Sequence, residues 1–356
     1  MTDGIHISGY DDGQIQELPI DSFFILTLES NDKCMLNSIQ KIDFIDSLII
    51  VQSSNGVFSF NNETGAYCCS YGERGHGVGE YNRINTFYID QKNEEVNIVD
   101  GVRNQILIFD LWGEYLNSIK FPMPTLPLCS NAELIDCNEL FIGKYIYNTE
   151  NILYSKINKN KFTESTIVQT SFQTDNTQEF FGRHSFSIQN DTIRALVPYS
   201  NSVFYSSDNS LITEWIIDTK KDILTSRELK EINNFGIFSY MEKRNQNKFV
   251  GFTDIFETSR YTLLAFYNID YFFVDKDSKK GFIYKKSQDD IVLQHVPLVD
   301  IKAVRDDFFV GVVEPYNLKK WSVSPTTKDK KLQNLKHTID SISPNGNPVL
   351  FFYKLG

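Results

Sequence analysis

The feature that most constrains the fold is an internal repeat of short strands with a period of about 45 residues, in the range of a propeller blade. Residues 47–70 and residues 94–118 follow the same order: an apolar strand, a polar turn, an apolar strand, a turn containing Gly, and a strand that begins near an aromatic residue. Each copy alternates apolar and polar side chains as a half-buried strand does. The two copies therefore predict a four-stranded antiparallel meander that recurs along the chain.

Further copies with the same strand-and-turn pattern follow the first two, but their sequences have diverged more. They cover residues 133–165, 185–218, 249–297 and, for the start of a sixth copy, 298–315. No long helix alternates with the strands, which excludes a parallel α/β fold. Helical spacing occurs in LQNLKHTI (332–339), within the sixth copy, and a second short helical piece is predicted within residues 226–247.

A ring of six repeats has to join its first and last blades, because an open edge would leave unpaired backbone groups. One strand pattern at residues 20–30 precedes the first repeat, and another at residues 347–354 ends the chain. We therefore predict an all-β fold: a six-bladed β-propeller of four-stranded antiparallel blades, closed by pairing an N-terminal strand with C-terminal strands. Residues 20–356 form this single domain, and residues 1–19 are expected to be a flexible N-terminus.

The junction between the first two copies, Tyr71–Tyr81 (YGERGHGVGEY), is unusual because it contains four glycines within eight residues. Consecutive backbone N–H groups in such a run can bind an anion, but no Lys-Ser/Thr pair and no helix follow it. A structural turn is the simpler interpretation. We predict Arg74, His76 and Glu80 as ligand-binding residues at the mouth of the channel, with the alternative that they hold the loop by bonding its backbone.

The charge of the chain excludes some classes of partner. The formal net charge is -11, and the sequence pI is about 5.0. A nucleic-acid-binding protein normally carries a basic stripe, and the longest basic cluster here is KDKK at residues 328–331. We therefore predict no nucleic-acid partner. The apolar runs are too short for a transmembrane segment, and we expect a monomer.

Cysteine and histidine spacing gives no local metal site. The five cysteines contain no CxxC pair, and their disulfide state stays open, including a bridge between Cys129 and Cys137. No two histidines stand two or four residues apart. His76, His184 and His295 lie in three different repeats, however, and could converge in the channel around a divalent cation. We assign no metal ligand, catalytic residue or cofactor, and retain a metal-dependent lyase or hydrolase as the alternative function.

Three separate segments carry a resemblance to a known family. YGERGHGVGEY followed by FYID and NIVD resembles the "GrGPGEY" junction of the six-bladed β-propeller proteins abundant in Bacteroides-type bacteria. LTLES (26–30) with IQKIDF looks like their opening strand. NGNPVLFFYKL (345–355) looks like their C-terminal signature, in which Asn-Pro precedes an apolar closing strand. The resemblance thus spans nearly the whole chain.

The sequence departs from the family pattern at a few positions. Val78 stands where the family often has Pro, and His76 where Arg is usual. Gln52 replaces an Asp that commonly ends the second strand of the first blade, whereas Asp100 keeps that Asp in the second blade.

The resemblance also implies a location and a kind of function. Members typically begin with a lipoprotein leader ending in cysteine, so it implies a periplasmic or surface lipoprotein of the cell envelope whose leader has been removed. Members are similar to NHL and YVTN-type propellers, which largely serve as binding platforms. We therefore predict a binding or scaffolding module for a protein, a small molecule or a carbohydrate.

Overall fold

The structure is a computed structural model. It describes residues 4–7, 18–122, 124–127, 129–144, 152–169, 184–219, 222–225, 227–228, 248–266, 270–285, 292–293, 295–324 and 326–356. These residues form six blades of four antiparallel strands each, arranged as a propeller. The predicted fold class is therefore confirmed.

Each of the first three blades is a simple meander of four consecutive strands. Blade 1 contains β3 (Ile39–Ile45), β4 (Leu48–Ser53), β5 (Gly56–Asn61) and β6 (Tyr67–Ser70). Blade 2 contains β7 (Ile84–Asp90), β8 (Glu95–Asp100), β9 (Gln105–Asp110) and β10 (Tyr115–Lys120). Blade 3 contains β11 (Cys129–Asp136), β12 (Glu139–Lys144), β13 (Ile152–Asn158) and β14 (Thr163–Gln169).

The last three blades follow the same plan with additions. Blade 4 contains β15 (Phe186–Gln189), β16 (Thr192–Leu196), β17 (Ser202–Ser207) and β18 (Ser210–Ile217). Blade 5 contains β19 (Phe252–Glu257), β20 (Tyr261–Phe266), β21 (Asp270–Asp275) and β22 (Lys280–Lys285). Blade 6 is built from β24 (Asp300–Arg305), β25 (Phe308–Val313), β27 (Val349–Leu355) and β2 (Ile20–Thr27).

Tight turns between strands contain Asp46, Asp191 and Asp208, where the backbone has positive φ values of 49°, 59° and 51°. This left-handed conformation costs Asp and Asn less than most other residues, since their short side chains can bond locally. A chain with only 19 glycines therefore makes many of its hairpins without them.

Blade 6 is closed by the two ends of the chain, as predicted. β2 pairs antiparallel with β27 from Ile20–Leu355 to Thr27–Val349, and β27 pairs on its other side with β25. The rings of Phe24 and Phe352 stack across this pair with centroids 4.4 Å apart. One continuous sheet thus joins residues more than 300 positions apart.

Asn347 fixes the approach to this closing strand. Its side-chain Oδ1 accepts a hydrogen bond from the Leu36 backbone N–H at 2.7 Å, and its Nδ2 donates to the carbonyls of Glu29 (2.6 Å) and Cys34 (2.8 Å). Only 3% of Asn347 is exposed. The Asn of the C-terminal signature therefore ties the last strand to the segment that follows β2.

Two helices interrupt blade 6 between β25 and β27: α1 (Pro315–Leu318) and α2 (Lys330–Ser341). The second confirms the helix predicted at 332–339. It buries Leu332, Leu335 and Ile339 on one face, which is the spacing expected for an amphipathic helix. The other predicted helical piece, within residues 226–247, lies almost wholly outside the described residues.

Short strands outside the six meanders cover parts of the rim. β1 (Ile5–Ile7) joins blade 4 as a parallel fifth strand beside β18, and Ile7 is completely buried there. β23 (Val292–Leu293) pairs with β26 (Ser322–Val323).

The hydrophobic core is divided among the interfaces between neighbouring blades. One cluster joins Ile50 and Val57 of blade 1 to Ile98 and Leu107 of blade 2, and corresponding clusters lie between later blades. The five cysteines are all free thiols, so no bridge links Cys129 and Cys137. Among the described helices, none combines the length and the apolar character that a membrane span requires.

The role of Asn347 predicts a specific loss of stability. Asn347→Ala removes three hydrogen bonds and leaves buried backbone groups unpaired, so we expect the free energy of unfolding to fall by about 3 kcal/mol. The measurement is the midpoint of urea unfolding followed by circular dichroism. Asn334→Ala, an exposed position on α2, is the matched control and should change the free energy by less than about 0.5 kcal/mol. Equal midpoints for the two variants would contradict this role.

Candidate functional site

The first strand of each blade lies nearest the propeller axis. β7 packs against β3 and β11, β19 against β15 and β24, and β24 returns to β3. Five of these six strands share a β-bulge near their beginning. The residue skipped at each bulge is polar: Gln40, Asn85, Ser130, Thr253 and Lys302. A bulge changes the direction of the side chains beside it. The same polar position therefore recurs in five of the six inner strands.

Lys41, next to the first bulge, crosses from blade 1 to blades 2 and 3. Its ammonium lies 2.8 Å from the Phe87 carbonyl oxygen, 3.1 Å from Asn131 Oδ1, 3.3 Å from the Ala132 carbonyl oxygen and 2.5 Å from Glu133 Oε1. An ammonium has three donors, so these four oxygens saturate it. Lys41 therefore braces three inner strands and has no donor left for a ligand.

Asp43 and Glu133 form the acidic side of the same cluster. Burial, and after it the charge of Glu133, raise the pKa of Asp43 to about 7, although Lys41 opposes the rise. Asp43 is half-buried, and 27% of the Glu133 side chain is exposed. The positive charge of Lys41 thus attracts both carboxyl groups, and both groups keep some access to solvent.

His184 and Asp254 form a pair across the boundary between blades 4 and 5. Asp254 Oδ1 accepts a hydrogen bond from the His184 backbone N–H at 3.1 Å and lies 3.6 Å from its Nδ1. Burial lowers the pKa of His184, and the charges of Lys41 and Lys302 contribute to that fall, although Asp254 opposes it.

When a neutral imidazole lies beside a carboxylate, the proton stays on the ring nitrogen that faces the carboxylate. For Asp254, burial raises the pKa, but His184 and Lys302 outweigh that effect and the net pKa is lowered. The carboxylate is therefore ionised, and its charge favours the tautomer of His184 with the proton on Nδ1. The other nitrogen, Nε2, is an acceptor that is buried and has no hydrogen-bond partner.

The glycine-rich junction is held by hydrogen bonds within the loop and by Arg103 of the β8–β9 turn. Arg103 donates to the carbonyls of Glu80 at 2.8 Å and Gly75 at 2.7 Å. The Tyr71 hydroxyl donates to the Leu111 carbonyl at 3.1 Å. Gly72, with a φ of 64°, passes so close to the Gly79 carbonyl that a Cβ atom would lie 2.6 Å from it. These contacts hold the loop against the β8–β9 turn and the segment that follows β9.

The three predicted ligand-binding residues occupy different environments in this loop. The Glu80 carboxylate accepts a hydrogen bond from the Gly77 N–H at 2.6 Å and lies where a Cβ on Gly75 would stand. His76 Nδ1 is 3.2 Å from an Arg103 nitrogen. Arg74 and His76 are exposed, beside Val78, which is 87% exposed. Arg74 and His76 therefore face solvent, whereas Glu80 bonds the loop.

The structure does not bring the three histidines His76, His184 and His295 to one point. His76 contacts Arg103, and His184 contacts Asp254. The described residues contain no group of three or more His, Cys, Asp or Glu side chains placed to hold a metal ion.

The sequence analysis singled out His184 but not Asp254, and not the cluster of Lys41, Asp43 and Glu133 on other inner strands. Each of these four lies in a strand of ordinary composition, in which one more polar residue does not stand out. Asp43 and Glu133 are the fifth residues of their strands and carried no signal. For Lys41 and Asp254, the available signal was the polar residue at the third position of the first strand of the repeat. It becomes specific only when the repeats are aligned on the bulge.

Comparisons with known proteins bear on the fold and the family. A family model described as a domain of unknown function (DUF4934) matches residues 8–354. The chain is similar to a solved structure of a protein from Bacteroides fragilis NCTC 9343 that is named as an exported protein. The two sequences are 16% identical, the match covers 99% of each chain, and the TM-score is 0.77.

A second similar structure is a member of the DUF4221 family from Bacteroides vulgatus ATCC 8482. It has 9% identity, covers 95% of this chain and 97% of its own, and gives a TM-score of 0.58. At these identities the two likenesses show the fold alone. A comparison with curated proteins finds no match.

The Lys41 brace predicts a large loss of stability on truncation. Lys41→Met leaves Glu133 without its ionic partner, so the free energy of unfolding should fall by about 3 kcal/mol. The double variant Lys41→Met/Glu133→Gln should cost about 1 kcal/mol less than the sum of the two single variants. Urea unfolding measures both. Lys336→Met, exposed on α2, serves as the control. Additive single effects would contradict the coupling.

Asp43 predicts a defined pH dependence of stability. Its folded pKa of about 7 lies above the ordinary value, so the folded state binds a proton more tightly than the unfolded state between about pH 4 and pH 7. The contribution of Asp43 to the free energy of unfolding is therefore fully present below pH 4 and is lost as the pH rises to 7. We expect Asp43→Asn to be more stable than the wild type at pH 8.

That advantage of Asp43→Asn should shrink as the pH falls from 7 to 4. Urea unfolding at several pH values measures the difference in free energy of unfolding between Asp43→Asn and the wild type. The effects of the other titrating groups are common to both proteins and cancel in this difference. The control is Asp46→Asn, which changes an exposed turn residue and should follow the wild type. A constant advantage across this range would contradict the assignment.

Proposed function

Since the chain belongs to the DUF4934 family of domains of unknown function, its role has to be argued from its own residues, and we propose that it is a binding module that takes a small polar ligand in the propeller channel. The observation that carries this proposal is the half-buried Asp43 beside Glu133. These carboxyl groups are the part of the inner ring that Lys41 does not fully neutralise.

The pairing of the other charged groups favours binding over covalent chemistry. Lys41 is saturated by four oxygens, so its amine is not free to act as a nucleophile. No arrangement within the described ranges favours the metal-dependent lyase or hydrolase. Preformed polar groups on rigid inner strands suit recognition instead, because little ordering is needed when a ligand binds.

The glycine-rich loop supports a second contact region within the same proposal. Its backbone is fixed by Arg103 and Glu80, and the exposed side chains of Arg74 and His76 are presented from that fixed base. Arg is common at binding hot spots. We propose Arg74 and His76 as outer contacts for a larger ligand or a protein, with Glu80 keeping the loop in shape.

We also propose a location in the cell envelope, as a lipoprotein. The support comes from the resemblance of the three sequence segments to envelope propellers and from the name of the similar Bacteroides fragilis protein, which assigns that protein to export. An NHL-like or YVTN-like role as a binding platform follows from the same resemblance.

The binding proposal is tested with a defined panel of ligands. The wild-type protein is screened at pH 8 by saturation-transfer NMR against amines, amino acids, neutral saccharides and uronates. Each hit is then titrated by calorimetry into the wild type, Asp43→Asn and Asp46→Asn. Because Asp43 is ionised at this pH, losing a hydrogen bond to its charge should weaken binding by about tenfold or more.

Asp46→Asn makes the same chemical change outside the channel and should bind as the wild type does. The proposal fails if no member of the panel binds. It also fails if Asp43→Asn keeps the wild-type affinity for every hit.

A further inference from the structure

The outer edge of blade 4 carries a strand that is not part of the meander of that blade. β1 runs parallel to β18, with Ile5 opposite Trp215 and Ile7 opposite Ile217, whereas the four strands of the meander are antiparallel to one another. Among the blades that the structure describes, only this one has a fifth strand. Residues 8–19 separate β1 from β2, which joins blade 6. β1 is therefore an additional strand on a complete blade, as a bound peptide is when it extends a sheet.

The backbone of β18 supplies the hydrogen-bonding groups for such an additional strand. A strand at the edge of a sheet presents a row of N–H and C=O groups on its free side. β1 pairs there in register with the end of β18, and the N–H of Asp218 donates to the Ile7 carbonyl at 3.0 Å. Main-chain pairing of this kind gives affinity, whereas side chains in pockets give sequence preference.

One side chain of β1 enters the interface between blades 4 and 5. Ile7 has no exposed surface, whereas Ile5 is 49% exposed. Ile7 belongs to the hydrophobic cluster that includes Trp215 of blade 4 and Phe272 of blade 5. Its space depends on Gly281 in β22, because a Cβ atom there would lie 3.2 Å from Cγ2 of Ile7 and against the Phe272 ring. The interface thus forms a pocket for one apolar side chain of the added strand.

A second position of the added strand favours glycine. Gly4 lies so close to β18 that a Cβ atom on it would be 2.8 Å from Cγ2 of Thr213 and 3.3 Å from the Glu214 carbonyl oxygen. A branched side chain at this position would push the strand away from β18. Gly4 and Ile7 together define a pattern, Gly-x-x-Ile, for an extended segment that fits this edge.

The resident strand is short and covers only part of the edge. β1 has three residues, of which only Ile7 is buried. β18 spans Ser210–Ile217, but β1 pairs only with its last three residues. A segment with few buried apolar contacts detaches at a lower cost in free energy than the core. A longer peptide therefore has more of β18 to pair with than β1 uses.

We propose that the outer edge of β18, together with the pocket that holds Ile7, is a docking site for an extended peptide segment with the pattern Gly-x-x-Ile or Gly-x-x-Val. Residues 4–7 occupy this site as an intramolecular ligand. A partner protein that presents the same pattern on an extended segment competes with them for the site. The site is at the edge of blade 4 opposite the inner strand β15, so it is independent of ligand binding in the channel.

The test empties the site in the full-length chain and fills it again with a peptide. Ile7→Asp places a charge in the apolar interface and should release β1. A capped synthetic peptide with the sequence of residues 2–9 (TDGIHISG) is then titrated by calorimetry into this variant and into the wild type. We expect the variant to bind the peptide at least tenfold more tightly, because β1 competes in the wild type. Equal affinities, or no binding to a variant that circular dichroism shows to be folded, would overturn the proposal.

A second variant empties the site without placing a charge in the interface. Gly4→Val should push β1 away from β18 and leave the pocket intact, so it also should bind the peptide at least tenfold more tightly than the wild type. This variant decides the outcome if Ile7→Asp folds poorly. Folded Gly4→Val protein with wild-type affinity for the peptide would overturn the proposal.

Altered peptides test the recognition pattern on the Ile7→Asp protein. Peptides carrying Ile7→Ala or Gly4→Val should each bind at least tenfold more weakly than the unaltered peptide, since one leaves the pocket partly empty and the other meets the backbone of β18. A peptide carrying His6→Ala, which changes an exposed position, is the matched control and should bind like the unaltered peptide. Unchanged affinity of the Ile7→Ala and Gly4→Val peptides would overturn the pattern.

Sedimentation of the wild type distinguishes occupation of the site by the same chain from exchange of β1 between two copies. Occupation by the same chain predicts a monomer at the concentrations used for calorimetry. A dimer that dissociates in Ile7→Asp would show that a second copy supplies the strand, and would overturn the intramolecular assignment.

Discussion

The pairing of β2 with β27 is the interaction on which the rest of the structure depends. Each blade buries its faces against two neighbours, so the stability of a propeller comes from a ring of equivalent interfaces. Blade 6 takes one strand from the beginning of the chain and three from its end. The hydrogen bonds of β2–β27, the stacked Phe24 and Phe352, and the buried Asn347 convert a row of meanders into a closed ring.

Closure also creates the channel chemistry. The inner strands of six blades converge, and the polar residues at their repeated bulges meet others from distant parts of the sequence. Lys41 bonds Glu133 across two blade boundaries, and its charge reaches His184 in blade 4. The low dielectric of this ring makes paired charges strong and unpaired polar atoms costly. The same ring that stabilises the centre thus leaves Asp43 with a raised pKa and His184 Nε2 without a partner.

Much of the fold followed from local patterns. Alternating strands, the helix at 332–339 and the closing strands were all predicted, because each is set by spacing and propensity within a few residues. The glycine-rich junction was also located correctly between two blades. Its fixing residue, Arg103, was not predicted, since it comes from a turn of the next blade. The fifth strand Ile5–Ile7 carried too short a pattern to be recognised.

The sequence by itself determined the repeat, its strand order and the means of closing the ring, because these depend on periodicity and on turn chemistry along the chain. Only the tertiary structure decided which polar residues matter at the centre. Lys41, Asp43, Glu133 and Asp254 look ordinary in their own strands. Their hydrogen bonds and charge contacts depend on distances between blades, and those distances exist only after six blades have packed into one ring.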